Sequence, residues 1–336
     1  MVCNGVIILE CLCVKVKKRS GESVRAVLFE QDLLDNSFRI AADGDYLYLP
    51  IKSTPDESLF THPVSVEYHE CEPQQSRPTL KDMLGYAPSF EIVGDIAIID
   101  SDEPEAEKVA RALLKFRPQL KAVLGEGPAI EGEFRVRPMR FIAGEKHTET
   151  IHKDHGCLYA LDIAKVYFSP RLSTERQRIA DQIGPDDVVV DMFAGVGPYS
   201  IPAAKRCRKV YAADKNPEAV KFLKKNVELN KLDNMEAMEA DARDLPEILG
   251  QVADHVIMNL PHNASDFLKE AIALTKPGGV IHYYAMAHED SLFGPSIDII
   301  KKAATDAGRR VEVVETRTVR SYAPHQYNIC IDARID

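Results

Sequence analysis

From about Ser169 to the end of the chain, short apolar runs alternate with amphipathic segments. DVVVDMFA, KVYAAD, MEAMEAD and HVIMNLP are each followed by a helical pattern such as NPEAVKFLKKNVELNKL, and VIHYYAMA follows Pro277-Gly278-Gly279. A strand without polar alternation must be covered on both faces, and a helix between successive strands supplies both the cover and the length a parallel crossover needs. The fold class that follows is α/β, a doubly wound, mostly parallel Rossmann-like sheet with its ligand site at the carboxyl ends of the strands. RVEVVETRTV and QYNICIDARI read as two closing strands.

Upstream the pattern changes. Residues 5–52 read as a small α+β unit, with an apolar strand from Val6 to Val16, a helical pattern from Ser20 to about Leu34, and two strands flanking the turn ADGD. The polar stretch that follows carries Pro55, Pro63, Pro73 and Pro78, which suit a connector more than a core. From Leu80 to Phe168 a strand pair around Gly94-Asp95, an amphipathic helix starting near Glu103 and further strands make a second α+β unit. The sequence therefore predicts domains over 1–54, 80–168 and 169–336, with a linker over 55–79.

Composition narrows the setting. No apolar run reaches about eighteen residues, and VIILECLCV near the N-terminus is broken by Glu10 with no basic residue before it. Neither a signal peptide nor a membrane span is expected. The seven cysteines are scattered and never spaced C-x-x-C, which fits reduced thiols in the cytoplasm and predicts no metal ligands. A net charge of -10 argues against a generic polyanion binder. The segment Glu131–Arg178, however, holds nine Lys and Arg against seven acids.

The turn VDMFAGVGPYS (190–200) lacks the Gly-Lys-Ser/Thr of a nucleotide triphosphate loop, and it has Ser200 where a dinucleotide loop has its third glycine. S-adenosylmethionine is the remaining option, because it needs no phosphate cradle but a polar group at successive strand ends. Asp191 closes the first strand beside Gly195 and Gly197, which let backbone approach a ligand. Asp214, followed by Lys215, closes the second and suits ribose hydroxyls. Asp241, with the Ala242 backbone, closes the third and suits an adenine. Asn259 closes the fourth, in IMNLPHN, where Asn-x-Pro resembles the loop with which other methyltransferases hold a planar nitrogen, although Leu260 and His262 depart from that pattern.

EGEFRVR (131–137), IHKDHG (151–156), DIAKVYFSPRLSTERQR (162–178), VVVDMFAGVGPYSI (188–201), VIMNLP (256–261) and RSYAPHQY (320–327), in this order, closely resemble the archaeal tRNA (guanine-37-N1)-methyltransferases over nearly the whole chain. The resemblance implies methyl transfer to N1 of the guanosine after the anticodon, by a monomer that flips the base and works with magnesium ions on the tRNA. It implies tRNA contact by domain 1–54 and RNA binding by domain 80–168. Neutral guanine N1 carries a proton, so a base and a partner for O6 are needed. The match makes Glu175 the base, its carboxyl raised by partial burial, and Arg135 the O6 stabiliser. Asn259 orients the guanine and Arg176 pairs with the methionine carboxylate. Tyr167, Arg171, Arg137 and Pro261 face the flipped base and its phosphates. Two other readings stand beside this one. The same cofactor could donate its aminocarboxypropyl group, or methylate a wyosine precursor, at the same nucleotide. The fold could instead be a noncatalytic RNA-binding module.

Overall fold

A computed structural model describes residues 2–3, 6–74, 79–100, 102–127 and 138–336. The chain divides into two compact units, Met1–Thr79 and Leu80–Asp336.

In the first unit, Leu9–Lys17 is the centre of an antiparallel sheet ordered Ala41–Asp43, Tyr46–Pro50, Leu9–Lys17, Ser65–Cys71. Val14 and Val16 face Val24 and Leu28 of the helix Gly21–Glu30, while Cys11, Cys13, Cys71 and Tyr48 form a separate buried cluster. The expected linker over 55–79 is thus corrected. Ser65–Cys71 pairs residue by residue with the central strand, from Leu9 opposite Cys71 to Lys15 opposite Ser65. Pro63 and Pro73 flank this strand and none interrupts it, so the prolines punctuate an element that they do not prevent.

The second unit begins with a four-stranded sheet, Met139–Gly144, Ala122–Glu126, Ile96–Asp100, Phe90–Val93, in which the inner pair is parallel and is joined through the helix Ala106–Phe116. Val109, Ala110 and Leu113 bury that helix's apolar stripe against the sheet. A hairpin, Glu149–Asp154 with Cys157–Asp162, follows. The domain boundary expected at 168 falls after it, yet the hairpin packs on the C-terminal sheet's helices. Tyr159 and Leu161 share a core with Phe222 and Leu223. Asn226 and Asn230, at the end of the helix Pro217–Leu229, bond the backbone N–H and C=O of Ala160 and Leu158 at 2.7–3.0 Å, standing in for a missing neighbour strand.

The C-terminal sheet has seven strands: β1 (Val188–Asp191), β2 (Lys209–Asp214), β3 (Met235–Glu239), β4 (Ala253–Met258), β5 (Thr275–His288), β6 (Val311–Ala323) and β7 (Gln326–Ile335), ordered β3-β2-β1-β4-β5-β7-β6. β1 to β5 are parallel, and β7 runs antiparallel to both β5 and β6. This is the doubly wound α/β sheet that the alternation predicts. Chain order reverses between β1 and β4, which opens a crevice at their carboxyl ends.

Candidate active site

A cleft of about 490 Å³ lies at that crevice. The loop after β1 forms one wall. Gly195 and Gly197 both have positive φ, at 54° and 94°, and use it differently. Gly195 lines the cleft, and a Cβ there would meet nothing nearer than the Tyr167 carbonyl oxygen at 4.0 Å. At Gly197 a Cβ would stand 2.8 Å from Leu223 Cδ1, so this glycine lets the loop pack on the helix Pro217–Leu229, and its expected place beside the ligand is corrected.

Asp191 also sits behind the cleft. It is buried, accepts the Ser200 hydroxyl at 2.6 Å, and burial pushes its carboxyl up to about 7. Its expected contact with the ligand becomes a task of shaping the loop. Asp214 does line the cleft, where it accepts the N–H of Gly195 at 2.6 Å and of Asn216 at 2.8 Å. Burial raises its carboxyl above the ordinary range, and those N–H donors oppose the rise. Asp241 is held low, first by the Arg243 backbone N–H and then, against some burial, by the Arg243 and Lys215 charges. Lys215, Asp241, Ala242, Asn259 and Pro261 all line the same cleft, so the strand-end series comes together as the sequence places it, Asp191 excepted.

Arg176 is 3% exposed and reaches the cleft wall. Its Nη2 bonds Asp154 at 2.7 Å and its Nη1 bonds the Ser169 carbonyl at 2.9 Å. Its buried Nε has no partner, and the same holds for Arg320 Nε and Asn328 Oδ1, which line the cleft too. The Tyr199 hydroxyl, on the same lining, is buried and unpartnered as well. Unsatisfied buried groups are costly, so four around one cavity mark a place for a polar ligand. The two guanidinium donors and the amide oxygen match the carboxylate and ammonium of an amino-acid end, and the carboxylate of Asp214 matches a pair of ribose hydroxyls. The residues present therefore fit S-adenosylmethionine.

Tyr167, 36% exposed, lines both this cleft and a smaller adjoining cavity that Arg171 borders. Arg171 is ion-paired with Glu91 at 2.6 Å. Arg135 and Arg137 lie outside the described residues.

Glu175 stands apart from the other expected site residues. It is 4% exposed and is not part of the cleft lining. Arg178, one turn along the helix Ser173–Gln182, bonds it at 2.7 Å, the Tyr284 hydroxyl donates to it at 2.8 Å, and Arg317 stands at 3.5 Å. Tyr284 meets Tyr199 edge-on with ring centroids 5.7 Å apart, and Tyr199 lines the cleft. The carboxylate therefore stands one aromatic layer behind the wall, because the first turn of its helix faces the core.

Several cleft residues escape the sequence reading. Arg320, Tyr322 and Asn328 come from the ends of β6 and β7; the antiparallel insertion of β7 between β5 and β6 is something no periodicity reveals. Arg243 stacks over Phe267 at 4.4 Å, making a flat cationic and aromatic wall near Asp241. RSYAPHQY carries Arg320 and Tyr322 and is the one signal that could have found them.

Residues 150–314 match the family described as the TRM5/TYW2 methyltransferase domain, residues 13–60 the tRNA methyltransferase 5 N-terminal domain, and residues 79–148 the TYW2 N-terminal domain. The chain is 42% identical over 331 residues to the Pyrococcus abyssi tRNA (guanine(37)-N(1))-methyltransferase Trm5b, covering 96% of this chain and 99% of that protein. It is 38% identical over 249 residues to the Methanocaldococcus jannaschii tRNA(Phe) (4-demethylwyosine(37)-C(7)) aminocarboxypropyltransferase, covering 74% of this chain and 98% of the other. The solved complex of aTrm5 with tRNALeu superposes with a TM-score of 0.70 at 36% identity, covering 97% of this chain and all of that one.

Proposed function

The chain belongs to the TRM5/TYW2 methyltransferase family, and from that premise we infer that it transfers a methyl group from S-adenosylmethionine to N1 of guanosine 37 in tRNA. One observation carries the choice within the family. Similarity to the N1-methyltransferase covers 96% of the chain and takes in an N-terminal segment matching that enzyme class, whereas similarity to the aminocarboxypropyltransferase covers 74%. A noncatalytic module is disfavoured by the strand-end series around the cleft.

When bound, S-adenosylmethionine supplies an electrophilic methyl group on a sulfonium sulfur. The chain's own residues supply the rest. Asp214 is oriented by two backbone N–H groups, so its remaining lone pairs are directed at the ribose hydroxyls. Asp241 and the Ala242 backbone take the adenine beside the Arg243–Phe267 wall, with Lys215 close by. Arg176 Nε, Arg320 Nε and Asn328 Oδ1 take the amino-acid end. Asn259, on the Asn-Leu-Pro turn after β4, holds the guanine edge, and Pro261 is fixed by the Met286 N–H at 3.0 Å. Tyr167 and Arg171 serve the extruded nucleotide, and Arg135 and Arg137 are assigned to O6 and phosphate on their sequence match alone. Glu175 is assigned the N1 proton on its sequence match; its carboxylate accepts the Tyr284 hydroxyl one aromatic layer behind Tyr199 at the cleft wall. The few kcal/mol needed to unstack the base come from the remaining tRNA contacts. Magnesium, on this reading, rides on tRNA phosphates. We place the enzyme in the cytoplasm as a monomer; among the described residues no helix is long and apolar enough to cross a membrane.

The test is incubation with tRNA transcripts carrying G or A at position 37, followed by mass spectrometry of the nucleosides. Methylguanosine from the G37 transcript alone is expected. An aminocarboxypropyl adduct, or equal methylation of both, would overturn the reading.

A further inference from the structure

Glu175 is the first member of a chain of buried polar side chains that crosses the sheet. Arg178 bonds Glu175 through Nη2 and Asp332 through Nη1. Asp332 on β7 lies opposite His282 on β5 in the strand register, and their Oδ1 and Nδ1 are 2.7 Å apart. His282 Nε2 is 3.0 Å from His255 Nδ1 on β4, the two rings being parallel. His255 Nε2 stands 3.3 Å from Asp187, which directly precedes β1 and is partly exposed at the edge opposite the cleft. His282 is fully buried and His255 nearly so.

Donor counting restricts the proton content of the two rings. Asp332 and Asp187 are acceptors, so His282 Nδ1 and His255 Nε2 must both donate. The contact between the rings needs one further N–H. Three ring protons satisfy every contact, whereas two neutral rings leave one nitrogen lone pair facing a carboxylate. Burial, followed by the neighbouring ring, pushes His255 down to about 4, so a fourth ring proton is excluded near neutrality. Burial opposes ionisation of Asp332, but His282 and Arg178 outweigh it and hold that carboxylate well below the usual range.

We propose that Arg178, Asp332 and His282 are positioning residues for Glu175, and that the His282–His255 pair releases its extra proton through Asp187 to solvent when Glu175 takes up the guanine proton. This rests on the methyl-transfer reading and on Glu175 as base. The balance closes: N1–H gives its proton to Glu175, N1 gains the methyl, the sulfonium becomes a thioether, and one proton leaves the histidine pair. Arg178 stays charged throughout and couples the two ends electrostatically without conducting a proton. The other groups around Glu175 are Arg317 on β6, Tyr284 on β5, Cys330 on β7 and Tyr199 on the loop after β1, and Arg178 also reaches Glu315 on β6. His255 faces Asp254 in addition to Asp187. Burial raises the Tyr199 and Tyr284 hydroxyls and the Cys330 thiol well above their ordinary values, which leaves the histidine pair as the store.

The experiment uses the full chain with G37 tRNA transcript and S-adenosylmethionine in single turnover across pH. His282→Asn keeps a side-chain donor toward Asp332 and removes the titrating ring. It should move the acid limb of the pH–rate profile upward by at least about half a unit, with cofactor affinity unchanged within about threefold. A profile that superimposes on wild type would overturn the proposal. Glu175→Gln is measured in parallel: a loss of at least about tenfold supports the base reading, and a near-wild-type rate removes that reading and the relay with it. If His282→Asn does not fold, ring nitrogen NMR of the wild type at about pH 6 decides. Three ring protons on the pair are expected, and two would sink the idea.

Discussion

Asp214 has two backbone N–H groups fixing its carboxylate at the cleft, so its removal takes away the ligand's acceptor and leaves the Gly195 and Asn216 N–H groups unpaired at the same time. Asp214→Ala should weaken S-adenosylmethionine binding at least about tenfold by calorimetry, the loss of a pair of charge-assisted bonds. Asp191 behaves in the opposite sense. Its carboxyl is pushed up to about 7 by burial, against about 3.9 in the unfolded chain. The folded state therefore binds the extra proton between those values. The associated stability is fully present below about pH 4 and is lost as pH rises through about 7. Asp191→Asn, which keeps an acceptor for Ser200, should be more stable than wild type by on the order of 2–4 kcal/mol at pH 8 and by little at pH 4. Thermal melts at the two pH values check this, and an equal shift at both would refute it. The two aspartates are alike in sequence, each closing a strand. Only the loop's path, with Ser200 folded back beneath Asp191, separates a ligand contact from a loop anchor. Glu175 teaches the same lesson: its pairing with Arg178 is legible in STERQR as an i,i+3 spacing, while the face that this turn presents depends on β5 and β7.

Among the elements, the hairpin Glu149–Asp162 owes its docking to Asn226, which is buried and makes three bonds to backbone. Asn226→Ala leaves the Ala160 N–H and C=O and the Val196 C=O unsatisfied. A loss of about 2–4 kcal/mol in urea unfolding is expected, and a change below about 0.5 kcal/mol would mean that water replaces the amide. The parallel strands and their helices were legible because periodicity and length are local properties. Ser65–Cys71 was not, since its prolines were near enough to mask a strand whose partner lies fifty or more residues upstream. The hairpin is legible as strands, but its docking on the helix Pro217–Leu229 is not, because the asparagines that hold it lie some seventy residues later.

At the level of the whole molecule, the division at Thr79 predicts separable tasks. The piece Leu80–Asp336 carries every cleft residue named above and should keep cofactor affinity within about threefold, while single-turnover methylation of tRNA falls at least about tenfold. Full activity in the shortened protein would show that Met1–Thr79 contributes nothing to substrate capture. The overall α/β class and the cleft position follow from strand alternation alone, whereas β7, which runs against both its neighbours, and β6 beyond it place Arg320 and Asn328 where no local rule anticipates them. β6 is also the outermost strand of the sheet. Its pairing with β7 slips three times, between Val313 and Glu315, Thr318 and Arg320, and Ser321 and Ala323, and it exposes Glu312, Glu315 and Arg317. Such a kinked, ionic border offers no straight ladder for a stray chain to zip onto, so crowded or partly melted copies are kept from growing into fibres along that side.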